Sequence, residues 1–262
     1  MTIDLAYESH GIGTPVVLLH AFPTDRTLFA AVVPTLALSA RIITPDLRGF
    51  GESPLGEDDP DLDVVADDVI ALIERLDIPK FVVGGVSLGG YLTLNILRRY
   101  RDRVAGVVLI DTKAAADTDE ARDRRETVAA TVLADGTNDG FAEGWLNTLI
   151  GQTSRKWRPP VVEKVQHWSG ATAPETVAYY QRAMAARPDS FDVLAGEELP
   201  ALIIVGAEDE ITPLADAEAM RASVHHASLE VISGAGHLSP LEEPEPVAHA
   251  IADFVRNFSD FC

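Results

Sequence analysis

The sharpest chemical signal in the sequence is Gly85-Val86-Ser87-Leu88-Gly89, which directly follows the apolar run Phe81-Val82-Val83 and directly precedes a segment of helical period. A strand, a tight turn and a helix in that order hold a serine on a sharp bend with its Oγ exposed. Gly85 and Gly89 lack the Cβ atoms that would collide in such a bend. A glycine-rich turn can also cradle phosphate, but no lysine follows at P-loop spacing. A serine at its free pKa is a poor nucleophile, so Ser87 needs a base, and the base needs an acid to orient it.

In this arrangement the chain order is serine, acid, histidine. Of the seven histidines, His225, His226, His237 and His249 lie in the C-terminal quarter. His249 falls in a helical pattern, and His225 and His226 precede the last strand. His237 sits in Ser233-Gly234-Ala235-Gly236-His237-Leu238, a flexible loop after that strand, and is expected to be the base. Asp209 is the expected acid, because it follows the run Ala201–Val205 in a strand-end loop; Glu208, Glu210 and Asp111 are alternatives. Acyl transfer also requires donors for the developing oxyanion. The Leu88 N–H at the start of the helix supplies one, and the loop His20-Ala21-Phe22-Pro23 supplies the other, for which Phe22 is chosen.

These residues must be held by strands that end at one edge. Val/Ile-rich runs at Val16–Leu19, Ile42–Thr44, Phe81–Val83, Val104–Ile110, Ala201–Val205 and Leu229–Ile232 alternate with segments of helical period. Such alternation marks an α/β fold with a mostly parallel sheet flanked by helices. Helices are expected over Asp63–Leu76, Leu88–Tyr100 and Pro246–Phe258, with Ile3–Glu8 as an antiparallel edge strand. The rhythm breaks between Lys113 and Leu199, a stretch without a strand run that holds all three tryptophans, Trp145, Trp157 and Trp168. It is expected to be a helical insertion over the C-terminal end of the sheet, with the tryptophans as pocket walls.

The 262 residues suit one domain with an insertion, and 47% hydrophobic residues allow a sizeable core. A formal charge of −20 disfavours nucleic acid and anionic membranes as partners. The single cysteine, Cys262, excludes an internal disulfide and a structural zinc cluster, and no His or Cys cluster has metal-ligand spacing. No metal or organic cofactor is expected. The N-terminal residues lack a basic start and an apolar run, so a cytoplasmic location is expected. A homodimer is left open.

Five segments together resemble the α/β-hydrolases, and more narrowly the small serine hydrolases that include carboxylesterases, 3-oxoadipate enol-lactonases and cofactor-free haloperoxidase-like enzymes. They are His20-Ala21-Phe22-Pro23, Asp46-Leu47-Arg48-Gly49-Phe50-Gly51-Glu52-Ser53, the turn around Ser87, Gly206 through Asp209 to Pro213, and Gly236-His237-Leu238-Ser239-Pro240 with Glu243 and Pro244. Where the family usually carries His-Gly, this chain has His20-Ala21, a methyl that narrows the loop. The resemblance implies a scaffold role for Asp46 and Arg48, a core of residues 1–112 and 200–262, and a helical cap over 113–199. It implies hydrolysis of a small ester, with a lactone as the alternative substrate and peroxide as an alternative to water. A hydrolase-like binding or signalling protein with little turnover is the reading from another class.

Overall fold

The computed structural model describes residues 2–138, 144–145, 147–195 and 199–261; Cys262 and parts of the insertion lie outside them. Seven strands form one sheet: β1 (Tyr7–His10), β2 (Thr14–Leu19), β3 (Ala40–Pro45), β4 (Phe81–Val86), β5 (Val104–Ile110), β6 (Ala201–Gly206) and β7 (Ala227–Ile232). Their spatial order is β1-β3-β2-β4-β5-β6-β7, with β1 antiparallel to β3 and every other pairing parallel. All six expected parallel strands are present. The edge strand lies further along than the expected Ile3–Glu8. The Ala6 carbonyl still accepts from the Asp46 N–H, but the Ile3 and Ala6 N–H groups donate to the Asp68 carboxylate and the Ser53 hydroxyl, so regular pairing begins at Tyr7.

Alternation along the central strands feeds two cores, one on each face of the sheet. Val17, Leu19, Val83, Leu109 and Ile203 belong to one, and their neighbours Val16, Leu18, Val82, Val108 and Ile204 to the other. Four helices cover the faces and a fifth closes the chain: α1 (Val33–Leu36), α2 (Leu62–Arg75), α3 (Leu88–Arg99), and later α9 (Leu214–Ser223) and α11 (Pro244–Val255). In α2 the buried stripe Val65, Val69, Leu72 and Ile73 packs into the first core, each side chain contributing about 1.5–3 kcal/mol by leaving water. The Asp61 side chain accepts from the Asp63 N–H at its start. On the other face α1 and α11 supply Leu36, Val247 and Ile251. The closing helix starts two residues before the expected Pro246 and gives way at Arg256 to a tighter 3₁₀ turn.

Between β5 and β6 the chain is helical, as the lack of a strand run there implied: α4 (Asp119–Asp135), α5 (Gln152–Trp157), α6 (Pro159–Ala171), α7 (Pro174–Ala186) and the single turn α8 (Phe191–Leu194). Another single turn, α10 (Ser239–Glu242), precedes α11. The insertion reaches back to the core loops. Tyr180 on α7 donates its hydroxyl to the Arg48 carbonyl, and Thr176 donates to Gly49. Among the described residues no helix is long and apolar enough to cross a membrane.

Candidate active site

Parallel pairing sets the site, because it brings the C-terminal ends of neighbouring strands side by side. Leu19 pairs with Gly85, so the loop holding Phe22 and the turn holding Ser87 and Leu88 leave the sheet as neighbours. Val86 pairs with Ile110, which sets Asp111 beside Ser87. Ser87 itself has φ 53° and ψ −109°, a left-handed conformation that costs on the order of 1–3 kcal/mol outside glycine. The crowding that demands glycines is severe. A Cβ on Gly89 would stand 2.1 Å from the Leu19 carbonyl oxygen, and one on Gly85 would stand 2.2 Å from the Gly89 carbonyl carbon.

The loops after β4, β6 and β7 bring three side chains into one chain of hydrogen bonds. Ser87 Oγ lies 2.7 Å from His237 Nε2, and His237 Nδ1 lies 2.8 Å from Asp209 Oδ2. The carboxylate accepts only, so the imidazole carries its proton on Nδ1 and presents Nε2 to the serine as an acceptor. Asp209 is held by donors on both oxygens: the Ile211 and Thr212 N–H groups reach Oδ1, and the Thr212 hydroxyl reaches Oδ2 at 2.7 Å. His237 and Asp209 are 1% and 6% exposed, which removes the solvent that would weaken their interaction. Burial works against an imidazolium at His237, but the Asp209 charge and hydrogen bond outweigh it and raise the pKa above the ordinary 6.5. Burial likewise opposes the Asp209 carboxylate, and His237 with the Thr212 donors still holds its pKa below the usual range.

The other acid candidates are occupied elsewhere. Asp111 accepts from the Gly206 N–H at 2.8 Å and the Ser239 N–H at 2.9 Å. Glu208 accepts from the backbone and hydroxyl of Thr153 in the insertion, and Glu210 is exposed. Among the histidines, His225, His226 and His249 are exposed. His20 is buried and neutral: burial lowers its pKa, its Nδ1 donates to the Ala21 carbonyl, and its Nε2 accepts from the Leu47 N–H. It thereby ties the Phe22 loop to the Asp46 turn. Asp46 accepts from the Arg26 and Glu52 N–H groups, and the buried Arg48 guanidinium forks onto Asp68 at 2.6 and 3.0 Å.

The three tryptophans go to three different places. Trp145 stands edge-on to Phe22 with ring centroids 5.6 Å apart, and with Ile211 it lines a cavity of about 410 Å³. Trp168 is 4% exposed within the second core, and it borders a cleft of about 300 Å³ with Pro23 and Phe50. Trp157, expected as a pocket wall, is instead 69% exposed on α5, where the Lys156 ammonium lies 4.7 Å above its ring. Its neighbours in the sequence are Lys and Arg, a pattern that fits a solvated turn. Thr212 and Glu242 were not singled out from the sequence, since their role comes from backbone geometry that residue type does not reveal. No group of three or more His, Cys, Asp or Glu side chains among the described residues has a metal-binding arrangement.

Comparison with known proteins agrees with this architecture. A thermophilic esterase from Thermogutta terrifontis superposes with a TM-score of 0.94 at 40% identity, covering 97% of this chain and 94% of that one. The 3-oxoadipate enol-lactonase 2 of Acinetobacter baylyi is 28% identical over 218 residues, 83% of this chain and 79% of its own length. The pimeloyl-[acyl-carrier protein] methyl ester esterase of Aromatoleum aromaticum is 30% identical over 255 residues, 92% of this chain and 98% of its own. The sequence profile of the alpha/beta hydrolase fold matches residues 14–244, nearly the whole sheet and every loop described above. The chain therefore belongs to the α/β-hydrolase family.

Proposed function

We propose that this protein is a serine esterase that cleaves small carboxylic esters through an acyl-enzyme on Ser87. The observation that supports it best is the unbroken sequence of contacts from Ser87 through His237 to Asp209. In this reading Ser87 Oγ attacks the ester carbonyl carbon while its proton passes to His237 Nε2. The carbonyl oxygen becomes an oxyanion held by the Phe22 and Leu88 N–H groups, the latter at the N-terminus of α3. Asp209 stabilises the imidazolium without taking its proton. His237 then protonates the departing alcohol oxygen, which breaks the acyl–oxygen bond. Water repeats the sequence on the acyl-enzyme: it gives one proton to His237, its oxygen joins the acyl carbon, and Ser87 recovers its proton as the carboxylic acid leaves. Residues 113–199 serve as the cap of this site and select the acyl group, with Trp145 beside Phe22 as one of its walls.

A lactone is the second substrate class, favoured by the similarity to enol-lactonases over most of the chain. A lactone is a cyclic ester, so the same attack opens the ring and no separate alcohol departs. The test is a panel of p-nitrophenyl esters from acetyl to dodecanoyl alongside simple lactones. Many turnovers per second on short esters fit the proposal. Turnover of lactones alone would reassign the substrate, and a stall after about one turnover on every compound would indicate a binding protein.

A further inference from the structure

His237 sits on a short loop whose neighbouring N–H groups are captured by a carboxylate that touches none of the reacting atoms. Glu242, on α10 and 3% exposed, accepts with Oε1 from the Gly236 N–H at 2.8 Å and the Leu238 N–H at 3.3 Å. These are the residues immediately before and after the proposed base. With its other oxygen, Oε2, Glu242 accepts from the Gly151 N–H at 2.8 Å. Gly151 is the N-cap of α5 and so belongs to the helical insertion. One buried carboxylate thus fastens the insertion to the loop that carries His237.

The two backbones also touch directly at that point. A Cβ on Gly236 would lie 2.3 Å from the Gly151 nitrogen, and a Cβ on Gly151 would lie 2.9 Å from the Gly236 nitrogen. Gly151 has φ −63°, which any residue adopts, so its lack of a side chain answers the neighbouring loop rather than its own backbone. A second tie runs alongside. Arg158, which follows α5, donates to the Gly234 carbonyl and the Ser154 hydroxyl and pairs with Glu243. Hydrogen bonds and an ion pair therefore join three segments of the chain, 151–158, 234–238 and 242–243.

Resting on the esterase reading above, we infer that Glu242 is a positioning residue: it sets the direction of the His237 imidazole and couples that direction to the seating of the insertion through Gly151. Removing one of its oxygens frees either the loop or the insertion. Glu242→Gln does this with little change of shape, because the amide nitrogen cannot accept from the N–H it would face. The imidazole needs alignment with Ser87 and Asp209 only in the chemical steps. Misalignment therefore lowers kcat and leaves the binding of a short ester nearly unchanged.

The experiment is steady-state kinetics on p-nitrophenyl butanoate for Glu242→Gln, Gly151→Ala and the double variant. The melting temperature of each is recorded, together with the downfield proton resonance of the His237–Asp209 hydrogen bond. Glu242→Gln is expected to lose kcat on the order of 10²-fold with KM nearly unchanged. Gly151→Ala, whose new Cβ would stand 2.5 Å from Glu208 Oε2 and 2.9 Å from the Gly236 nitrogen and so presses the insertion away from both loops, is expected to lose about tenfold or more, also in kcat, and the double variant less than the product of the two. In both, the downfield resonance shifts or broadens. Val69→Ala, a cavity in α2 remote from the site, serves as the stability control and keeps its kcat at a temperature where it is folded. If both variants keep kcat and the resonance, or lose no more than Val69→Ala does at equal loss of melting temperature, the inference is overturned. Should Glu242→Gln not fold, Glu242→Asp, which keeps the carboxylate but shortens its reach to the Gly151, Gly236 and Leu238 N–H groups, decides by the same criteria. Ser87→Ala separates the two proposals: activity in that variant removes the esterase reading, whereas an inactive Ser87→Ala beside a fully active Glu242→Gln removes only the role of Glu242.

Discussion

Asp111 and Asp209 stand close enough to repel: burial, reinforced by the charge of Asp209, pushes the Asp111 carboxyl up to about 7. The Asp209 carboxyl stays below its usual range because His237 and Thr212 outweigh its burial. Two neighbouring carboxyls with pKa values driven apart have distinct jobs, and here the low one faces the imidazole. Asp111 spends both oxygens on the Gly206 and Ser239 N–H groups, tying the acid loop to the histidine loop.

Asp209→Asn is therefore expected to lower kcat by about 10⁴-fold, since an amide stabilises the wrong tautomer, with little change in KM. Asp111→Asn keeps one acceptor oxygen and is expected to hold kcat within about tenfold while lowering the melting temperature. Kinetics and thermal melts on the two variants check this. The reverse ranking would move the acid to the end of β5.

The pH dependence follows from the same pair. His237 acts as base only when neutral, and Asp209 stabilises its cation, so a higher pH is needed to remove the proton than for a free imidazole. Activity as kcat/KM is expected to rise with pH, with a midpoint above about 6.5. Asp111 lies close enough that its charge, once it ionises, favours the His237 cation further. In Asp209→Asn the midpoint of the residual activity should fall. A wild-type midpoint below the ordinary histidine value would contradict this electrostatic account.

The tryptophans differ in what their loss should cost. Trp145→Ala removes the ring beside Phe22 and enlarges the cavity it shares with Ile211. The preferred acyl chain is then expected to lengthen, with steps of about 1–3 kcal/mol per methylene. Trp168→Ala empties part of the second core and is expected to cost about 3–5 kcal/mol of stability. Trp157→Ala, at an exposed ring, is expected to change neither. Chain-length profiles and melts of the three variants test the set, and a profile unchanged in Trp145→Ala would remove that residue from the acyl pocket.

The sequence showed the parallel strands well because short, continuous Val/Ile runs suit few structures besides a strand buried on both faces, and the turn at Ser87 because steric crowding leaves glycine as its only solution. Chain order and strand ends pointed to His237 and Asp209, two side chains that lie in hydrogen-bond contact with each other. The edge strand was misplaced, since exposed residues such as Glu8 and His10 carry no burial pattern and hydrogen bonds to Asp68 and Ser53 decide where pairing begins. The positions of the tryptophans were not legible either. Their type signals apolar area, while the packing of α5 against its neighbours decides that Trp157 faces water. Glu242 lay hidden because three N–H donors from two distant segments define it, and no spacing rule joins position 151 to position 236.

The central claim is that Ser87 is the nucleophile, and the most direct measurement is the site of covalent capture combined with the activity of Ser87→Ala. Treatment of the wild-type protein with an organophosphate is expected to place one adduct on Ser87 by mass spectrometry. Ser87→Ala, with an unchanged circular dichroism spectrum, is expected to take no adduct and to lose at least about 10⁴-fold in kcat. A folded Ser87→Ala variant that keeps about a tenth or more of the wild-type kcat, or an adduct on another residue, would contradict the account.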